Sequence, residues 1–281
     1  MKKIFALMAI AAVGFIACNK DDDESPAPAT GGGSATSFTV EKKNRAAVIY
    51  FGEDWCPPCG TNGGPTLDSL LKGEGSLLTG IKINKGSNNT SLNWSGGGSI
   101  YNAYNSGVFS GPNQNAIPAM AVNNTEQLVY TNINTNISQV RSKANAFAAD
   151  SVVAGIALQK SIVGDSIVVD TKVKFFKAQA AGIDYRLALY VVEDDVVASQ
   201  STNTGTVANY TNHNLVRVSN AAAYTGVAVN SSAAIAADFQ YEKTYKMYLK
   251  PAWNKANLKV VAVLWKMGST PAKVINSNVV L

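Results

Sequence analysis

Cys56 and Cys59 lie in Trp55-Cys56-Pro57-Pro58-Cys59, a spacing that lets two thiols close into one disulfide or exchange with another. The segment before them, Ala46-Ala47-Val48-Ile49-Tyr50-Phe51, is an unbroken apolar run, as expected of a strand buried on both faces. The dithiol therefore falls at a strand's C-terminal end, and Pro57 and Pro58 suit the first turn of a helix, where a missing N–H costs nothing. A cysteine at a helix N-terminus has its thiolate stabilised by unpaired N–H groups and the helix dipole. Cys56 is then the expected nucleophile and Cys59 the resolving thiol. His213 is the single histidine, which removes most zinc and Ser-His-Asp arrangements; no metal or cofactor is expected. With no acid or nucleophile tied to it, His213 reads as a turn or strand-end residue bonded to backbone.

The third cysteine has a different setting. Met1-Lys2-Lys3, an uncharged run over 4–16 and Ala17-Cys18 have the layout of a secretory signal peptide spanning 1–17. Phe15-Ile16-Ala17-Cys18 resembles a bacterial lipobox, in which cleavage leaves a diacylated cysteine as the first mature residue. That makes Cys18 the expected lipidation site and the membrane an expected partner. Asp21-Asp22-Asp23-Glu24 and the Pro/Ala/Gly/Ser stretch that follows cannot bury enough surface to offset ordering, so 18–37 should be a lipidated cysteine and a disordered tether. Its reach is at most ~65 Å. Lys20 followed by acids resembles the export signal of surface lipoproteins in Bacteroidota; the alternative is a solvated spacer.

Composition suits an exported, folded protein: 46% apolar, 15% charged. The formal charge of +5 includes Lys2 and Lys3, so the mature chain is nearer +3. No basic cluster accompanies it, and nucleic acid is not an expected partner.

A strand, Trp-Cys-X-X-Cys and a helix resemble the thioredoxin superfamily, and Ala116-Ile117-Pro118-Ala119 matches its Ile/Thr-Pro segment. The resemblance implies a cis Pro118 packed beside the dithiol, with Trp55 and Ile117 as weak binding positions. Strands over 80–84, 119–122 and 127–130, a turn at Asn123-Asn124 and a helix carrying Ile137, Val140, Ala144 and Phe147 complete a thioredoxin-like domain over 38–149. Departures bear on activity. Gly60, Gly63 and Gly64 each weaken a helix by about 1 kcal/mol relative to alanine, so the helix should start at Pro65 and stop at Gly73. Glu53 and Asp54 would oppose a thiolate if they point towards it. No catalytic lysine or buried acid is assignable. Between 85 and 114, Gly/Ser/Asn-rich sequence holding Trp94, Tyr101, Tyr104 and Phe109 reads as a loop, either binding beside the dithiol or pinned down by its aromatics.

Beyond 150 the texture changes. Runs at 152–158, 167–175, 185–192, 246–250, 258–264 and 274–280 are β-branched or aromatic and separated by turn residues, which predicts an antiparallel β-sandwich over 150–281. The fold class is α/β plus all-β. Leu189-Tyr190-Val191-Val192-Glu193-Asp194-Asp195 through Gln200, then His213-Asn214-Leu215-Val216-Arg217, resemble segments of the 28-kilodalton outer-membrane protein family of Bacteroidota. That family also joins a thioredoxin-like half to a sandwich behind a lipoprotein leader. The resemblance implies the outer membrane more firmly than a mechanism. Two functional classes stay open: thiol–disulfide exchange with protein clients, or a non-catalytic surface module in which Cys56–Cys59 is a fixed bridge.

Overall fold

A computed structural model describes residues 38–281 other than 112, 113, 128, 130 and 131, and Phe38–Leu281 forms one compact unit. The expected leader, Cys18 and tether lie outside the described residues.

Strand β1 (Ala46–Phe51) is buried at all six positions. It runs parallel to β2 (Leu78–Ile83) and antiparallel to β3 (Ala119–Val122), which pairs with β4 (Thr125–Gln127). Alternation splits β1 between two cores. Ala46, Val48 and Tyr50 meet Leu67 and Leu70 of α1 (Gly64–Glu74) and Val140 and Ala144 of α3 (Ile133–Ala149). Ala47, Ile49 and Phe51 meet Ile100, Tyr101 and Tyr104 of α2 (Gly97–Gly107). The β3–β4 turn uses Asn123 at φ 53°, and β4 precedes the expected 127–130.

Helix α2 corrects the expectation of a loop over 85–114. Its Gly, Ser and Asn content is poor for an isolated helix, but burying Ile100, Tyr101 and Tyr104 on the sheet outweighs intrinsic propensity. Phe51 packs edge-on to Tyr101 and Phe109, with ring centroids 5.3 and 5.9 Å apart. Trp94, Tyr101, Tyr104 and Phe109 are thus core residues.

The remaining strands are β5 (Ala154–Val163), β6 (Ser166–Phe175), β7 (Tyr185–Glu193), β8 (Val196–Thr202), β9 (Gly205–Asn212), β10 (Leu215–Ser219), β11 (Val227–Ala228), β12 (Gln240–Tyr248), β13 (Leu258–Lys266) and β14 (Lys273–Val280). They complete a sheet-rich fold of mixed and antiparallel sheets. One nine-stranded sheet runs β14-β13-β7-β10-β2-β1-β3-β4, with β11 also on β7; β12-β6-β5 is a second sheet, and β8–β9 a separate hairpin. In β7, Leu187, Leu189 and Val191 face Ile156, Val169 and Phe175 of the second sheet, while Ala188, Tyr190 and Val192 face the α2 side. Burial on both faces explains why β7 and β13 lack polar alternation. The boundary expected at residue 150 falls at the end of α3, and strands from both sides of it share the large sheet.

Candidate functional site

Beyond Phe51 the chain turns through Gly52 and Glu53 into the dithiol loop. Pro57 and Pro58 are helical, Cys59–Gly63 form a π-helical turn closed by Gly64 N–H on the Cys59 carbonyl, and α1 follows. The helix includes Gly64 and continues past Gly73, one residue wider at the start than expected and ending at Glu74. The glycines answer to close approach. A Cβ at Gly63 would stand 2.5 Å from the Tyr50 hydroxyl, and one at Gly60 would stand 2.4 Å from the Ser201 carbonyl oxygen.

Cys56 and Cys59 are joined as a disulfide, and each residue is only 2% exposed. Trp55 beside them is 50% exposed. The Ile117–Pro118 peptide is cis. Because Ala119 pairs with Phe51, Pro118 sits at the end of β3 next to the departure of the dithiol loop; it is buried and Ile117 half-buried. Cys18 lies outside the described residues.

Glu53 and Asp54 are engaged elsewhere. Glu53 Oε1 accepts from the backbone N–H groups of Lys85 and Gly86, both at 3.0 Å, and Oε2 from Ser87 Oγ at 2.7 Å. Asp54 Oδ1 and Oδ2 accept from the N–H groups of Asn88 and Asn89. These carboxylates order the 85–89 loop, so the expected opposition to a thiolate is largely absorbed by N–H dipoles.

Beneath the turn lies a polar cluster that sequence reading did not assign. Lys82, in the middle of β2, is 4% exposed and donates from Nζ to Asn212 Oδ1 at 2.6 Å. Its ammonium stands 5.9 Å from the ring centres of both Tyr50 and Tyr210. The Tyr50 hydroxyl donates to the Cys59 carbonyl at 3.3 Å, and that of Tyr210 to the Gly60 carbonyl at 3.4 Å. Burial lowers the Lys82 pKa to about 8 against the opposing pull of Asp68, Glu53 and Asp54. Burial raises Asp68, with His213 and Lys82 opposing, and pushes Tyr210 up to about 12. The available signal was a lysine between Ile81 and Ile83 in an otherwise apolar strand.

From above, the β8–β9 hairpin closes over the loop. Gln200 Nε2 donates to the carbonyls of Glu53, Asp54 and Cys56 at 3.0, 3.1 and 3.3 Å. Ser201 N–H donates to the Asp54 carbonyl at 2.7 Å, and Asn203 N–H to Thr61 Oγ1 at 2.8 Å. The two family-like segments meet at the hairpin's base. Arg217 Nε and Glu193 Oε2 form an ion pair at 2.7 Å with both side chains under a tenth exposed; Asn214 N–H donates to Asp194 Oδ1 at 2.8 Å. His213 Nδ1 accepts from Asp195 N–H at 3.4 Å and also stands 3.3 Å from Asp195 Oδ1, so an acid lies beside the histidine to which the sequence alone ties none. Among the described residues no group of three or more His, Cys, Asp or Glu could hold a metal, and no helix is long and apolar enough to cross a membrane.

A sheet-rich unit with a covered dithiol and no membrane-crossing helix among its described residues is the class these features define. The family model described as Outer membrane protein Omp28 matches residues 112–280, and the chain belongs to that family, as the motif resemblance implied. The matched segment includes Ile117, Pro118 and the β8–β9 hairpin but not Cys56 or Cys59. The protein is accordingly an outer-membrane protein. HBP35 of Porphyromonas gingivalis has a similar fold: TM-score 0.66 at 15% identity, covering 86% of this chain and 76% of that one. A domain of the outer membrane lipoprotein Omp28 from Porphyromonas gingivalis aligns over 47% of this chain and 88% of its own at 13% identity, with a TM-score of 0.27 that is too low for a fold comparison. No curated protein matches the chain.

Proposed function

We propose that this protein is a lipoprotein anchored through Cys18, that residues 38–149 form a thioredoxin-like unit beside a β-sandwich over 150–281, and that Cys56–Cys59 exchanges with thiols of protein clients. The observation carrying the reading is the disulfide at the C-terminal end of β1, beside the cis Ile117–Pro118 bond on the neighbouring strand. The β2-β1-β3-β4 order, with α1 and α3 on one face and α2 on the other, supports the thioredoxin-like assignment.

In the oxidised form a client thiolate attacks Cys56 Sγ, forming a mixed disulfide as the Cys59 thiolate leaves. A second client thiolate then attacks the client sulfur of that bond and releases Cys56. Two electrons pass from the client dithiol to the protein, leaving Cys56 and Cys59 reduced. Pro118 shapes the approach, with Trp55 and Ile117 flanking it. The non-catalytic reading, a fixed bridge, is favoured by the 2% exposure of each cysteine.

A Cys59→Ser variant separates the two: its lone Cys56 thiolate attacks a client disulfide, expelling one client thiolate, and with no Cys59 thiolate to attack Cys56 Sγ the mixed disulfide persists. Disulfide-linked adducts that dissolve on reduction are expected. Their absence retires exchange and leaves the bridge. In the same cells Cys18→Ala should lose lipid labelling and leave the membrane fraction; retention of both would reject the anchor.

A further inference from the structure

We propose that the β8–β9 hairpin is a gate on the dithiol, so that a sulfur nucleophile reaches Cys56 or Cys59 only after the hairpin lifts. This rests on the exchange reading for its purpose, though not for its mechanics. Disulfide attack is in line with the S–S bond and needs open space behind one sulfur. Neither cysteine offers it at 2% exposure, although Trp55 next to them is half exposed. The hairpin supplies the cover. Its Gln200 amide reaches the Cys56 carbonyl, and the backbone of Ser201 approaches Gly60 so closely that a Cβ there would be 2.4 Å from its oxygen.

The attachment is of a kind that can be released. The backbone ladder of β8 and β9 joins them to each other and to no other sheet among the described residues. A two-stranded hairpin is marginal alone, so its position depends on what it touches. At the base Val196 and Ala198 pack on Leu92 and Leu215. Nearer the tip the contacts are polar, with Gln200, Ser201 and Asn203 on the dithiol loop, while Tyr210 on Gly60 and Asn212 on Lys82 lie level with the base, opposite Ala198 and Val196. The opposite face is in solvent, with Val197 60% exposed. An apolar base and a polar tip make a hinge at the base the least costly opening, since tip groups exchange protein partners for water while the base stays buried.

The test is the reduction rate of Cys56–Cys59 in the full mature chain by dithiothreitol, which attacks one Sγ and leaves as its own cyclic disulfide. Gln200→Ala removes the amide that holds three loop carbonyls and should speed reduction at least tenfold. Thr171→Val, which removes a buried hydrogen bond to the Lys243 carbonyl on the far sheet, should leave the rate unchanged. Equal rates for Gln200→Ala and wild type overturn the gate. Should Gln200→Ala fail to fold, hydrogen exchange on the unaltered protein decides. The Ser201 and Asn203 amides should exchange through a local opening with little urea dependence, unlike those of Val191 and Val261. Exchange of all four only through global unfolding overturns the gate. Faster reduction of Gln200→Ala without any client trapped by Cys59→Ser keeps the gate and retires exchange; trapped clients with hairpin-independent rates do the reverse.

Discussion

Lys82 is a cation placed where charge is costly. It sits between two tyrosine rings with Asn212 as its hydrogen-bond partner, and burial lowers its pKa from 10.5 to about 8. The folded pKa lies below the unfolded one, so the unfolded chain holds the proton more tightly. The penalty is present in full below about pH 8 and is relieved as pH rises towards 10.5. Between pH 7 and 10.5 the unfolding free energy of wild type should therefore rise, relative to that of Lys82→Met, by on the order of 2–3 kcal/mol. Urea unfolding of both proteins at the two pH values measures it; a constant difference would mean that the lysine is not charged in a dry site. The residue scale also shows what sequence makes legible. Cys56, Cys59 and Pro118 stand out because their chemistry is unusual wherever they occur. Lys82, Tyr50 and Gln200 are ordinary by type and acquire meaning only from burial, which depends on partners more than 100 positions away in Asn212, Tyr210 and the Glu53 and Asp54 carbonyls.

At the scale of elements, glycine tells helix propensity and packing apart. Gly63 precedes α1 under the Tyr50 ring, whereas Gly73 lies in its last turns with nothing within 4 Å of a built Cβ. Alanine gains up to about 1 kcal/mol over glycine at an open helical site. Gly73→Ala should thus raise stability by roughly that amount, while Gly63→Ala should lower it by about 1–3 kcal/mol through forced displacement of Tyr50. Thermal melts of the two variants check the opposite signs; two stabilised proteins would show that the Tyr50 contact yields freely. The same contest hid two elements from the sequence. α2 has helix-poor residues on its exposed side, and only Ile100, Tyr101 and Tyr104 reveal its inward face. β9 reads as a polar Thr/Asn stretch because nearly every residue faces solvent, its fixed points being Tyr210 and Asn212. By contrast β1, β3, β7 and β13 were visible as apolar runs, since strands covered on both faces have no polar alternation to blur them.

Across the whole molecule, continuity of the large sheet decides how the parts depend on one another. β2 meets β10 at Lys82 and Leu215, with Lys82 N–H donating to the Asn214 carbonyl at 2.7 Å. Ile81, Ile83 and Trp94 share one core with Tyr190, Val192, Val261 and Trp265. Asn276 of β14 ties further ends together: Oδ1 accepts from Arg45 N–H at 2.8 Å, while Nδ2 donates to the carbonyls of Lys43 and Ala154 at 2.8 and 2.7 Å. A fragment ending at 149 would keep the α1–α3 core intact but uncover the opposite face of β1 and β2, at about 1.5–3 kcal/mol for each large apolar side chain returned to water. Such a loss equals or exceeds the net stability of a typical domain. We therefore expect residues 38–281 to unfold in one transition, coincident by far-ultraviolet circular dichroism and tryptophan fluorescence. The 38–149 fragment should lack a dispersed amide spectrum, and Asn276→Ala should shift both probes together by 2 kcal/mol or more, since it strands several buried backbone groups. Two separated transitions, or a well-dispersed fragment, would mean that residues 38–149 carry their own core and that the shared sheet joins two independent domains.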